Sequence, residues 1–157
     1  MTISPDMARR VRVYSDPLQH AALAALVVVP LAARTDRQVL RTAVVAAWLI
    51  DVDHVVAARS ARPRDTTALP ARPRTHSLLT AAGAGCVVWI AGGPWHGWSA
   101  FAALGSHLLH DAGDRAAPTP VMWPFRPARQ LGRRVQLAGT VALTMASAAA
   151  GRFAARA

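Results

Sequence analysis

Four apolar stretches divide the chain, and three of them carry no formal charge. Pro17 to Ala33 and Val135 to Gly151 run 17 residues each without Asp or Arg. Thr75 to His110 runs 36 residues the same way, interrupted near its middle by Gly92-Gly93-Pro94-Trp95-His96-Gly97. The Gly and Pro of that insert predict a tight turn between two helices. The fourth stretch, Thr42 to Ala58, has Asp51, Asp53 and His54 embedded in it. Such groups suit a spanning helix only when they are paired or bound. No period-2 alternation marks a strand. The pattern predicts five helices, near residues 17–33, 38–58, 76–91, 97–113 and 133–151, in an all-α up-and-down bundle forming one domain over residues 1–157. A 17-residue helix is about 25 Å long, the lower limit for crossing a hydrocarbon core. The connections Arg59–Arg74 and Asp114–Arg134, rich in Pro and Arg, belong at the solvent or the lipid headgroups.

Composition sharpens this picture. With 53% hydrophobic and only 17% charged residues, the chain is neither disordered nor an ordinary soluble domain, and it leans toward a membrane. Abundant alanine, with Gly83, Gly85 and Gly105, lets helices approach closely through small side chains, as lipid-embedded interfaces favour. The single cysteine, Cys86, excludes an intrachain disulfide and a multi-cysteine zinc site. All basic residues are Arg and all acidic residues are Asp, so carboxylate chemistry falls to aspartate and metal binding to Asp and the six histidines. The first residues, with Asp6 and Asp16 flanking Arg9, Arg10 and Arg12, do not read as a cleaved signal peptide.

The net charge of +10 fits nucleic acid, anionic lipid or an orientation signal, and position decides among them. With a cytoplasmic N-terminus and alternating helices, the inside holds Arg9, Arg10, Arg12, the five arginines between 59 and 74 and the five between 115 and 134. Those are 13 of 18, with Arg34, Arg37, Arg41, Arg152 and Arg156 outside. The positive-inside rule favours this multi-pass orientation. No basic recognition helix or known DNA-binding motif is present, so nucleic acid ranks low as a partner.

The same alternation gathers the embedded polar residues. His20 opens the first helix, Asp51, Asp53 and His54 lie toward the end of the second, His76 opens the third, and His107, His110 and Asp111 close the fourth. In an antiparallel bundle these positions meet in one layer, on the cytoplasmic side. His107 and Asp111, four apart, share a helix face, as do Asp51 and His54, three apart. Asp53 points away from Asp51 on a regular helix, so it needs a bent backbone, a second metal, or a role holding a ligand histidine. Plainer accounts exist for each piece. The Asp-x-Asp-His cluster can end a helix and pair with Arg62 or Arg64, His107 can bond Asp111 within its helix, Arg72-Pro73-Arg74 can be a cationic loop, Thr75 or Ser77 can cap the third helix, and His96 can be a packing residue. Convergence of four segments at one end weighs against all of these together.

Leu49-Ile50-Asp51-Val52-Asp53-His54, Arg74-Thr75-His76-Ser77-Leu78-Leu79, Gly105-Ser106-His107-Leu108-Leu109-His110-Asp111 and Trp123-Pro124-Phe125 follow in an order and spacing that resembles the YdjM-like (LexA-binding) group of inner-membrane-associated, metal-dependent hydrolases. The resemblance runs from about His20 to Phe125. It implies metal-site roles for Asp51, Asp53, His54, His76, His107 and Asp111, adds His20 as the early histidine, and implies hydrolysis with lipid phosphoesters as the expected substrates. The chain departs from the group's pattern at Ala71, where members often have His, at Asp114, where they have Thr, and at His110, where they have an aliphatic residue.

The resulting expectation is a membrane-bound, metal-dependent hydrolase of the inner membrane, with its site facing the cytoplasm. Its cofactor is one or two divalent ions, Zn²⁺ first, Mn²⁺ or Fe²⁺ next, held by three or four of Asp51, His54, His76, His107 and Asp111. Asp53 or Asp111 serves as general base, and Arg72 and Arg74 hold an anionic lipid headgroup. The alternative is a non-catalytic membrane protein with a structural His/Asp metal or ion-pair cluster and basic loops that bind a partner or lipid.

Overall fold

The structure, a computed structural model, describes residues 5–113 and 117–156, with side chains from Ser15 onward except at 63 and 64. Asp114 and Arg115 lie outside the described residues, as do the side chains of Arg9, Arg10, Arg12 and Arg64. Among the described residues seven helices follow one another: α1 Pro5–Ala32, α2 Gln38–Leu49, α3 Val52–Ala58, α4 Pro63–Thr66, α5 Leu78–Gly92, α6 Pro94–Gly113 and α7 Arg133–Ala154. An isolated antiparallel bridge, Thr119 with Arg129, is the one extended pairing among the described residues. The class is all-α, as the hydrophobic pattern predicts.

Helix α6 is the axis of the bundle and packs against α1, α2, α5 and α7. Its buried positions are mostly small: Gly97, Ser99, Ala100, Ala102, Ala103, Gly105 and Ser106. A Cβ placed on Gly97 would lie 2.5 Å from Trp89 Cβ and 2.8 Å from the Gly85 carbonyl, so the α5–α6 approach exists only without a side chain there. Between them the chain reverses at Gly93, whose φ of 90° is open to glycine, and Pro94 starts α6 where its missing N–H costs nothing. Helix α1 buries His20, Ala24, Val27, Val28 and Leu31, a stripe at helical spacing, against α2 and α6. Larger apolar side chains face outward: Leu26, Val45, Trp48, Val87, Ile90 at 87% exposure, Val141, Met145 and Phe153. Small residues inside and bulky apolar ones outside is the distribution a bundle has in lipid. Two helices, over Ser15–Ala32 and Arg133–Ala154, are long and apolar enough to cross a membrane.

The elements differ from the sequence expectation in several places, among them the start of the third helix, which places His76 before α5 instead of within it. α1 begins at Pro5 and runs through Pro17, so His20 sits in mid-helix instead of opening it. The expected start came from the uncharged run that begins after Asp16, but Pro17 inside α1 forgoes one N–H bond without ending the helix. The expected helix over 38–58 is broken at Ile50-Asp51 into α2 and α3, and a one-turn α4 follows. Between α6 and α7, residues 117–131 fold over the segment before α5. Arg72 N donates to Pro118 O (3.1 Å), Leu78 N to Val121 O (2.9 Å), and Leu131 N to Ala112 O (2.8 Å).

Candidate metal centre

The residues singled out in sequence meet in one layer. α1 supplies His20, the α2–α3 break Asp51, the first turn of α3 Asp53 and His54, the segment before α5 His76, and the last turns of α6 His107 and Asp111. Ser77 is the residue that caps α5, accepting from Thr80 N at 3.3 Å, which fixes the backbone immediately after His76. His20, His76, His107 and Asp111 are all buried to 1% exposure or less.

The distances between these groups are informative because they are not hydrogen-bond distances. His76 Nε2 lies 3.4 Å from Asp111 Oδ2 and 3.7 Å from Asp51 Oδ1, and His107 Nε2 lies 3.4 Å from each of the same two oxygens. His20 faces the remaining oxygens, Nδ1 3.5 Å from Asp51 Oδ2 and Nε2 3.3 Å from Asp111 Oδ1. Hydrogen bonds of this kind measure about 2.7–3.0 Å. A bridging water, bonded at about 2.8 Å to each partner, would hold them about 4.6 Å apart. Ligand bonds of about 2.0–2.2 Å in tetrahedral geometry set ligand atoms about 3.3–3.6 Å apart. Among the described residues, both nitrogens of His20 and His107, His76 Nε2 and Asp111 Oδ2 are buried without a hydrogen-bond partner. Each such atom costs about 1–3 kcal/mol when left unmade. His76, His107 and Asp111 form one group whose ligand atoms lie within 4.8 Å of one another, and Asp51 adjoins it through two overlapping groups, with His20 and His107 and with His54 and His76.

The surroundings orient these atoms. His76 Nδ1 donates to Asp53 Oδ2 at 2.9 Å, which leaves Nε2 with its lone pair toward the cluster, and Thr75 Oγ1 donates to the same oxygen. The α2–α3 break makes this possible: on a continuous helix Asp51 and Asp53 diverge, whereas here they approach His76 from its two nitrogens. Arg72 reaches into the layer, its Nη2 3.1 Å from Asp111 Oδ1 and its Nη1 donating to His54 Nε2 at 3.1 Å. A neutral His54 then carries its proton on Nδ1, 2.9 Å from Asp53 Oδ1. Arg74 points elsewhere, exposed, with its guanidinium 6.0 Å from the Trp123 ring centroid. His96 lies at the opposite end of the bundle, 2.8 Å from Thr42 Oγ1. The arginine that meets the aspartates is Arg72, a pairing that the sequence, which pointed to Arg62 and Arg64, did not signal.

Burial opposes ionisation of Asp53, but the imidazoles of His54 and His76 outweigh it and hold its carboxyl below the usual range. Burial likewise opposes a charged His76, yet the nearby carboxylates of Asp51 and Asp111 and its bond to Asp53 raise it to about 9. The carboxylates therefore draw positive charge into the layer. With the imidazoles neutral, as ligands would be, Asp51, Asp53 and Asp111 against Arg72 leave two negative charges, which one divalent ion balances. The arrangement is compatible with a metal site, and Asp51, 30% exposed, is its most solvent-accessible ligand candidate.

No curated protein and no solved structure matches the chain. The family model described as YdjM inner membrane protein matches residues 16–156, which takes in every residue of the polar layer, and the chain belongs to that family.

Proposed function

We propose that the chain is a multi-pass, metal-dependent hydrolase of the inner membrane, with its polar layer at the cytoplasmic face. The observation that carries the reading is the set of buried nitrogens and oxygens, drawn from separate segments, that stand at ligand-to-ligand spacing with no hydrogen bonds between them. His76, His107, Asp51 and Asp111 are the ligands in this reading, with His20 adjoining, and Zn²⁺ suits a two-His, two-Asp set. Such an ion supplies Lewis-acid chemistry, lowering the pKa of a bound water to about 7 and polarising a phosphoryl or acyl oxygen.

The chain's own groups divide the remaining work. Asp53 and His54 position: Asp53 Oδ2 is committed to Thr75 and His76, and His54 Nε2 to Arg72. That commitment argues against Asp53 as the proton acceptor. Asp111 is fully buried and paired with Arg72, which argues against it as well. The proton-accepting role falls to Asp51, the carboxylate most open to solvent, whose Oδ2 is the oxygen turned from His76 and His107. Arg74, exposed above Trp123, suits an anionic headgroup better than Arg72, whose two terminal nitrogens are occupied. The arginine-rich connections before α5 and before α7 support the cytoplasmic orientation.

The occupied guanidinium of Arg72 also favours a second reading, a structural metal cluster without catalysis. Metal analysis of the purified wild type beside His107→Ala and Asp51→Ala tests the site, with stoichiometric metal expected in the wild type and lost in both variants. Release of phosphate or fatty acid from anionic phospholipid vesicles, abolished by Asp51→Ala, is expected of the hydrolase. Metal without turnover on phosphoester or acyl substrates would leave the structural reading standing, and metal-free wild-type protein would overturn both.

A further inference from the structure

Beside the central layer, on the outer side of His20, stands a second group of ligand atoms that the reading above does not use. Asp16 and His20 are four apart on α1, the same spacing by which α6 presents His107 and Asp111, and His110 of α6 faces them. One nitrogen or oxygen from each of Asp16, His20 and His110 lies within 4.8 Å of the others. His110 Nε2 is 3.9 Å from Asp16 Oδ1, too long for a hydrogen bond. The His20 and His110 rings stand edge to face with centroids 4.9 Å apart. His20 is 1% exposed, and both its nitrogens lack a hydrogen-bond partner. Gln136 of α7 supports His110 from behind, its amide 3.2 Å from Nδ1. The amide nitrogen is the atom placed at Nδ1; with the amide turned by 180° so that its oxygen stands there, Nδ1–H donates to it and the Nε2 lone pair faces Asp16.

We propose that Asp16, His20 and His110 hold a second divalent transition-metal ion, next to the one in the central layer and sharing His20 as the residue between them. The proposal rests on the central site being a metal site. Charge ranks the two: the central layer's two excess negative charges balance one ion, whereas among the described residues the outer group adds only Asp16. The second ion is therefore the weaker of the pair. It leaves the doubly loaded centre with net positive charge, which suits an anionic, phosphate-like substrate.

Co²⁺ titration of the full, untagged, metal-free chain in detergent, followed by its visible ligand-field absorption and by metal analysis, tests this. A Cys86→Ser background removes the exposed thiol as a competing site. Two Co²⁺ per chain are expected, bound in a tight and a weaker step, with the weaker step lost in His110→Leu and in Asp16→Asn while the tight one persists. Using both variants separates loss of a ligand from a packing defect at either position. One ion in the starting protein, or two retained in both variants, would overturn the second site and leave the central reading intact. No ion in the starting protein would overturn both.

Discussion

Replacing Asp53 by alanine distinguishes a residue that positions a ligand from one that is a ligand. Asp53 Oδ2 accepts from His76 Nδ1 at 2.9 Å and from Thr75, and its other oxygen faces His54. Asp53→Ala leaves His76 Nε2, His107 Nε2, Asp51 Oδ1 and Asp111 Oδ2 in place but frees the His76 ring to turn and to hold its proton on either nitrogen. A hydrogen bond to a charged group contributes about 1.5–3 kcal/mol. At about 1.4 kcal/mol per decade that is one to two powers of ten, which agrees with the about 10–100-fold loss in metal affinity typical of removing such a partner. Competition against a chromophoric chelator of known affinity should therefore show Zn²⁺ bound at unchanged stoichiometry, with Kd raised about 10–100-fold. Asp53→Asn should fall between wild type and Asp53→Ala, because its amide oxygen still accepts from Nδ1–H without the charge. His76→Ala should lose the ion at the same metal concentration. If Asp53→Ala loses stoichiometric metal as His76→Ala does, Asp53 is a ligand and the positioning argument is wrong. An unchanged Kd would refute it from the other side.

Further outcomes follow from the packing and the site. Gly97→Ala should destabilise the protein by about 1–3 kcal/mol, since its Cβ meets Trp89 and the Gly85 carbonyl, while Gly83→Ala, with nothing within 4 Å, should be neutral or stabilising by up to about 1 kcal/mol; thermal melts in detergent compare them. Ser77→Ala removes the α5 cap and should cost about 1 kcal/mol in the same assay, with weakened Zn²⁺ binding because His76 is the preceding residue. Zn²⁺ at about 100 times its Kd should stabilise the fold by about 2.7 kcal/mol, so chelator should lower Tm by about 5–10 °C in wild type. The chelator effect should vanish in His107→Ala. The protein should stay in the membrane fraction after alkaline carbonate washing, given the outward Leu, Val, Ile, Trp and Phe side chains.

The layer was legible because it depends on one coarse property, the alternation of helix direction, which is robust to errors of several residues. His20, Asp51, His76 and His107 come together whether α1 starts at Pro5 or Pro17. The break at Ile50-Asp51 was legible only as a need: two aspartates two residues apart cannot share a helix face, but no Gly or Pro marks where the backbone bends. Residues 117–131 were read as a Pro- and Arg-rich connection, and their bonds to Arg72 and Leu78 have no periodic signature, being set by tertiary packing. Arg72 was picked out for its charge toward a substrate, yet its guanidinium is spent on Asp111 and His54, a pairing invisible without the fold. Asp16 had a signal that went unused, its four-residue spacing to His20.

The contribution of the layer by separate segments has a consequence for how the protein is made. His20 emerges from the ribosome long before His107 and Asp111, and until α6 has packed against α1 and α2 the chain offers only a partial ligand set. The segment that fastens the backbone around His76 is synthesised later still. On the proposed reading an ion would enter last, as a seal on an assembled bundle instead of a nucleus for it, and a chain stalled before α6 could not yet hold it.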